Sequence, residues 1–299
     1  MRLAIGSLEL AHPVLNGSGT FDAIAARRAF GDALLEDFPF SAFVSKTITP
    51  EPRAGNPPPR LYETPSGMIN SIGLPNKGLD GFLAADLPQL AELPVPLIVS
   101  VMATDRAGFE RLVDGVSERD EVAAIELNVS CPNVKSGLIV GEQPAETLAL
   151  VSALRERTQK PLVVKLTPNT ADPAAVALAA EEGGADGVSL INTLRATALA
   201  PGTGDAWLGA GSGGLSGPAV RPVALEQVRR VAAEVSVAVI GMGGIETARD
   251  AAEFIALGAD LVAVGTANFR DPAAGIRVRD GLRNSVVEGQ SLDLNLRSN

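Results

Sequence analysis

Three runs decide the fold: Leu162-Val163-Val164-Lys165-Leu166, then Pro173-Ala174-Ala175-Val176-Ala177-Leu178-Ala179-Ala180-Glu181-Glu182, then Gly187-Val188-Ser189-Leu190-Ile191. The first and third are short and apolar, as a strand buried on both faces requires. The second opens with proline and continues in strong helix formers. Strand, helix, strand is the unit of a parallel sheet. The pattern extends in both directions. Further strand runs fall at Pro13–Asn16, Ala42–Lys46, Leu97–Val101, Ala124–Asn128, Val237–Gly241 and Asp260–Val264. Helical spacing recurs at Ala145–Arg157, Leu225–Ala233 and Ala248–Leu257, with Thr247 placed to cap the last. Eight strands alternating with helices predict an α/β fold, a closed (β/α)8 TIM barrel occupying residues 1–299 as a single domain. An open doubly wound sheet is the alternative. The first strand–helix turn, Gly17-Ser18-Gly19-Thr20-Phe21-Asp22, lacks the third glycine of a dinucleotide fingerprint.

Two segments break the rhythm. Residues 49–80 are rich in proline, glycine and asparagine, and residues 194–217 hold many glycines and the only tryptophan, Trp207. Both follow strand C-terminal ends, where barrel active sites lie, and long loops there serve as lids or binding loops. Acidic residues outnumber basic ones 35 to 25 and no basic run stands out, which argues against a nucleic-acid partner. No apolar stretch reaches the ~18 residues of a membrane span. Glu9 and His12 interrupt any signal-peptide core, so the expected location is the cytoplasm.

Cys131 is the only cysteine. It can make no intrachain disulfide and hold no metal alone, and no metal site is expected. It stands just past an apolar strand, in Asn128-Val129-Ser130-Cys131-Pro132-Asn133, where a reactive thiol fits better than a packing residue. Lys46 and Lys165 lie at equivalent ends of different strands. A lysine in an apolar strand is costly without an acceptor. A structural salt bridge, with Glu126 for Lys165, is the plain alternative to a shared anionic ligand. Glycine turns follow strand seven, Gly241-Met242-Gly243-Gly244-Ile245, and strand eight, Gly265-Thr266-Ala267. Barrels commonly bind phosphate there, which points to a cofactor phosphate. Asn70, Asn128, Asn133 and Asn192 suit a planar, amide-containing molecule, although loop asparagines are also common in turns. His12, the single histidine, reads as structural or solvated. General base work therefore falls to Cys131 or a lysine.

These residues resemble the class 1 dihydroorotate dehydrogenases over nearly the whole chain. The resemblance covers Asn16-Gly17-Ser18-Gly19-Thr20-Phe21, Lys46-Thr47 with Arg53-Ala54-Gly55-Asn56-Pro57, Ser66-Gly67-Met68-Ile69-Asn70-Ser71-Ile72-Gly73-Leu74 and Glu126-Leu127-Asn128-Val129-Ser130-Cys131-Pro132-Asn133-Val134-Lys135. It continues through Val164-Lys165-Leu166-Thr167-Pro168-Asn169, Ile191-Asn192-Thr193, Gly213-Gly214-Leu215-Ser216-Gly217-Pro218-Ala219 and the two glycine turns. It implies one FMN per chain and oxidation of (S)-dihydroorotate to orotate in pyrimidine biosynthesis. Cys131 would remove the C5 proton while the C6 hydride passes to N5 of FMN. Lys46, Asn70, Ser71, Ile72, Gly73, Leu74, Asn128, Asn133, Asn192 and Thr193 would bind substrate. Ser18, Lys46, Thr47, Asn128, Lys165, Ile191, Gly217, Gly243, Gly244, Gly265 and Thr266 would bind FMN, with Lys165 stabilising the reduced flavin.

The loop from Cys131 to Gly137 looks like the NAD-linked branch, whose partner subunit carries FAD and an iron–sulfur cluster. One cysteine cannot ligate such a cluster, so NAD as acceptor requires that partner in a heterotetramer. A homodimer using fumarate is the other class 1 arrangement. Gly137-Leu138-Ile139-Val140-Gly141 departs from the glycine-rich, aromatic stretch usual after the motif. Dihydropyrimidine dehydrogenases for uracil or thymine share several of these motifs. A tRNA dihydrouridine synthase would need a basic surface that the composition does not offer. A non-catalytic flavin-binding subunit would not need Cys131, both lysines and all four asparagines.

Overall fold

The computed structural model describes residues 3–130 and 140–287. Along them the strands are β1 (Ala4–Ile5), β2 (Leu8–Glu9), β3 (Val14–Asn16), β4 (Phe43–Val44), β5 (Leu61–Thr64), β6 (Gly67–Asn70) and β7 (Leu97–Val101). They continue as β8 (Val122–Asn128), β9 (Leu162–Lys165), β10 (Gly187–Leu190), β11 (Leu194–Ala196), β12 (Gly213–Ser216), β13 (Ala238–Met242) and β14 (Leu261–Val264). Eight of them form one parallel sheet in the order β3-β14-β13-β10-β9-β8-β7-β4. This is the expected (β/α)8 barrel.

Side chains alternate along each strand, as a two-residue period dictates. Ile125 and Leu127 of β8 face the helices, with Val164 of β9 and Val188 of β10. Ala124, Val163, Ile240, Leu261 and Ala263 fill the barrel interior. Ile5 and Leu10 from the β1–β2 hairpin close the N-terminal end of that interior. The later helices fall where the sequence placed them, at Pro144–Arg155, Pro173–Glu182, Arg221–Ala232 and Ala248–Ala256. Thr247 caps the last through a capping box with Asp250. The helices Ala23–Phe30 and Arg106–Ser117 were not read from the sequence.

The seam between β3 and β4 is closed by a side chain. Ser41 N–H donates to the Val14 carbonyl at 2.9 Å. Asn16 then does the work of a backbone rung: its Nδ2 donates to Val44 O at 2.8 Å, and its Oδ1 accepts from Val44 N–H at 2.8 Å.

The two irregular segments find each other. β5 and β6 from the first pair with β12 and β11 from the second in an antiparallel sheet ordered β11-β12-β6-β5. Ile69, Ala198 and Leu208 form its small core, and Trp207 Nε1 donates to Leu61 O at 3.0 Å. This sheet covers the C-terminal mouth of the barrel.

Candidate active site

Between the strand ends and the covering sheet lies a cavity of about 660 Å³. That is the size of an ordinary small-molecule site. Ser18, Lys46, Thr47, Asn70, Ile72, Leu74, Asn128, Lys165, Ile191, Asn192, Thr193, Gly217, Gly243, Gly244, Gly265 and Thr266 all line it. Cys131 and Asn133 lie outside the described residues. Ser71 and Gly73 stand behind the lining. Ser71 is buried and its Oγ accepts from Asn56 Nδ2 at 3.0 Å, while the space beside Gly73 is taken by Asn56. Residues that the sequence did not single out also reach the cavity: Thr20 beside the first glycine turn, Tyr62 and Glu63 from β5, Met68 from β6, and Phe269 with Arg270 after Thr266. The rim residues come from short strands and turns with no periodicity to read.

One wall is a chain of hydroxyls and amides. Ser18 Oγ donates to Ser45 O at 2.8 Å and lies 3.0 Å from Thr47 Oγ1, which is 2.9 Å from Ser100 Oγ. Asn128 Nδ2 donates to Thr47 Oγ1 at 3.4 Å. Asn192 Nδ2 donates to Ser130 Oγ at 2.8 Å and to Asn128 Oδ1 at 3.4 Å, and its Oδ1 accepts from Thr193 N–H at 2.8 Å. Asn192 therefore holds Ser130, the residue that precedes Cys131 in the chain. On the far side of that segment, Gly141 N–H donates to Val129 O at 3.0 Å. Both stems of the Cys131 segment meet beside the cavity.

The two lysines differ. Lys165 is 6% exposed, and its Nζ lies 4.0 Å from Glu126 Oε1. Lys46 is exposed, yet desolvation of its ammonium holds its pKa below the usual lysine value, with Asp22 partly opposing. Lys165 meets Glu126 as the salt-bridge reading expects, and it also lines the cavity.

The opposite wall is made of glycine turns. Gly243 and Gly244 follow β13 with φ of +130° and +77°. A Cβ on Gly244 would stand 2.9 Å from Gly217 O and from Arg221 Cβ. Arg221 pairs with Asp250, which also accepts from Thr247 N–H at 2.9 Å, so the helix before β13 and the helix after it are tied together beside the turn. Thr266 Oγ1 donates to Ser216 Oγ at 2.9 Å, joining the turn after β14 to the covering sheet. Among the described residues, no backbone acceptor takes the N–H groups of Gly243, Gly244, Gly265 or Thr266. Such a cluster of donors suits a phosphate.

Fold and site together define a (β/α)8 barrel with a polar cavity and a cluster of free N–H donors at its C-terminal mouth. A family model described as Dihydroorotate dehydrogenase matches residues 2–286. The chain is 46% identical over 297 residues, 98% of this chain and 94% of the relative, to the catalytic subunit of dihydroorotate dehydrogenase B (NAD(+)) from Desulforudis audaxviator. Its counterpart from Bacteroides thetaiotaomicron is 42% identical over 94% of this chain and 91% of the relative. Among solved structures, the crystal structure of DHODH in complex with ferulenol from Eimeria tenella superposes with a TM-score of 0.76. It is 25% identical, over 98% of this chain and 86% of that one. The chain belongs to the dihydroorotate dehydrogenase family.

Proposed function

We propose that this chain is the catalytic subunit of an NAD-linked dihydroorotate dehydrogenase, a cytoplasmic enzyme whose single catalytic domain spans residues 1–299. It oxidises (S)-dihydroorotate to orotate in pyrimidine biosynthesis. The observation that carries the reading is the pairing of unpartnered glycine-turn donors with buried Lys165 across one cavity. FMN fits this donor set. The turns at Gly217, Gly243, Gly244, Gly265 and Thr266 would hold its phosphate, Ser18, Thr47, Asn128 and Ile191 would line its body, and Lys165 would stabilise its reduced form. FMN, when bound, supplies at N5 the acceptor for the C6 hydride.

The rest is done by the chain's own side chains. Asn70, Asn128, Asn133, Asn192 and Thr193 would hydrogen-bond the dihydropyrimidine ring, and Lys46 would lie between flavin and substrate. Ser71 and Gly73 act through the backbone of the turn that presents Ile72 and Leu74. Cys131 takes the C5 proton as a thiolate. The covering sheet excludes water, which strengthens each polar contact. With NAD as acceptor, a partner subunit would supply the FAD and iron–sulfur cluster, since the one cysteine of this chain cannot ligate such a cluster. The working assembly is a homodimer of this chain joined by that subunit in a heterotetramer. Among the described residues, no helix is long and apolar enough to cross a membrane.

Anaerobic addition of dihydroorotate to the purified flavoprotein is the test. Bleaching of the flavin band, with reoxidation by NAD only when the partner subunit is present, is the expected result. A flavin that stays oxidised with dihydroorotate but bleaches with dihydrouracil would move the substrate. Reoxidation by fumarate would move the acceptor.

A further inference from the structure

Glu126 has no part in the chemistry above, yet it lies inside the barrel directly behind the cavity. It is 3% exposed. Its Oε2 accepts from Ser189 Oγ at 3.1 Å, and its Oε1 has no hydrogen-bond partner. The cation beside it is Lys165, 4.0 Å away. That distance is too long for a hydrogen bond and short enough for a strong Coulombic attraction in a buried setting. The sheet fixes the geometry. Lys165 stands in register with Asn128 on one side and Ser189 on the other, so Glu126, Ser189 and Lys165 share one inward-facing cluster.

A buried ion pair with one carboxylate oxygen unsatisfied is costly to desolvate, and a well-packed apolar pair of similar volume is often as stable or more so. We propose that Glu126 is a positioning residue for Lys165. It holds the ammonium aimed into the cavity, and it offsets part of the positive potential that the lysine places on the bound flavin. This rests on the FMN reading above. The consequence is a reduced flavin stabilised enough to form but not so much that it withholds electrons from the next carrier.

The test is a redox titration of bound FMN in the holoprotein, at one pH, without oxygen. Glu126→Gln keeps the shape and removes the charge. The oxidised–reduced equilibrium is expected to move toward the reduced form by about tenfold, an ordinary size for coupling between two sites. For a two-electron couple that is about 30 mV. Glu126→Asp withdraws the carboxylate by one methylene and is expected to move it the same way by less. In a Lys165→Met background both shifts collapse, because a lone buried carboxylate takes up a proton and is already neutral. Should Glu126→Gln fail to fold, Glu126→Asp with and without Lys165→Met decides alone. An unchanged potential, or an equal shift in both backgrounds, overturns the assignment. Wild-type protein that takes up no FMN would instead sink the function on which it rests.

Discussion

Asn16 shows how much one side chain carries. Its amide supplies both a donor and an acceptor to Val44, the pair of bonds a neighbouring strand would have made. Asn16→Leu keeps the bulk and strands two buried backbone groups, at ~1–3 kcal/mol each. The urea midpoint should fall accordingly, with no change in the slope. His12 offers a second residue-scale expectation. Burial, aided by Arg279 and partly opposed by Asp280, lowers its pKa from 6.5 to about 4. The unfolded chain therefore binds the proton more readily, and this contribution is fully present above pH 6.5 and is lost as pH falls toward 4. His12→Asn should flatten the acid limb of the stability profile in that window, measured by urea unfolding at pH 7 and 4.5. Cys131→Ser should retain FMN and lose about 10²–10⁴-fold in turnover at neutral pH, the usual worth of a general base. The wild-type rate should climb toward an alkaline plateau, since a free thiol titrates near ~8.5. Rate against pH for both proteins checks this.

At the scale of elements, the glycine turns and the covering sheet build the cavity. Gly244→Ala places a Cβ 2.9 Å from Gly217 O at a φ of +77°. The turn must shift to accept it, and FMN retention should drop about tenfold, equivalent to ~1.4 kcal/mol, while far-UV circular dichroism stays unchanged. Flavin absorbance after gel filtration reads the outcome. The turns were legible because glycines stand just past both strand seven and strand eight, the two places where barrels commonly bind phosphate. The barrel strands were legible because burial on both faces demands unbroken apolar runs. The covering sheet was not. Its strands are three or four residues long, β5 alternates exposed and half-buried, and its pairing joins segments distant in sequence. Both segments had been recognised as active-site loops, but nothing local declares that they will pair with each other. For the same reason Tyr62 and Glu63 went unread.

At the scale of the molecule, the barrel is a ring whose last strand pairs with its first. Val262 of β14 stands against Val14 of β3, and Ala263 against Leu15. The sheet therefore gains its final cooperative contacts only with β14 present. A chain stopped after Gly258 should lose cooperative thermal unfolding and expose apolar surface to a hydrophobic dye, although the Asn16–Val44 bonds remain. Dye fluorescence and a melting curve against the full chain test this.

That ring also sets a timetable for synthesis. A chain emerging from the ribosome presents β3 early and β14 almost last. Through most of elongation the nascent sheet has two open edges, and Val14 and Leu15 wait without the strand they will press against. The amide of Asn16 can latch onto Val44 long before then, because both belong to the first fraction of the chain to appear. Such an early latch would keep the first two strands side by side as a template while the other six are still being made. A codon change that slows translation near β14 would then lengthen the exposure of a half-closed ring, and the yield of folded enzyme would depend on pauses far from any residue that touches the ligand.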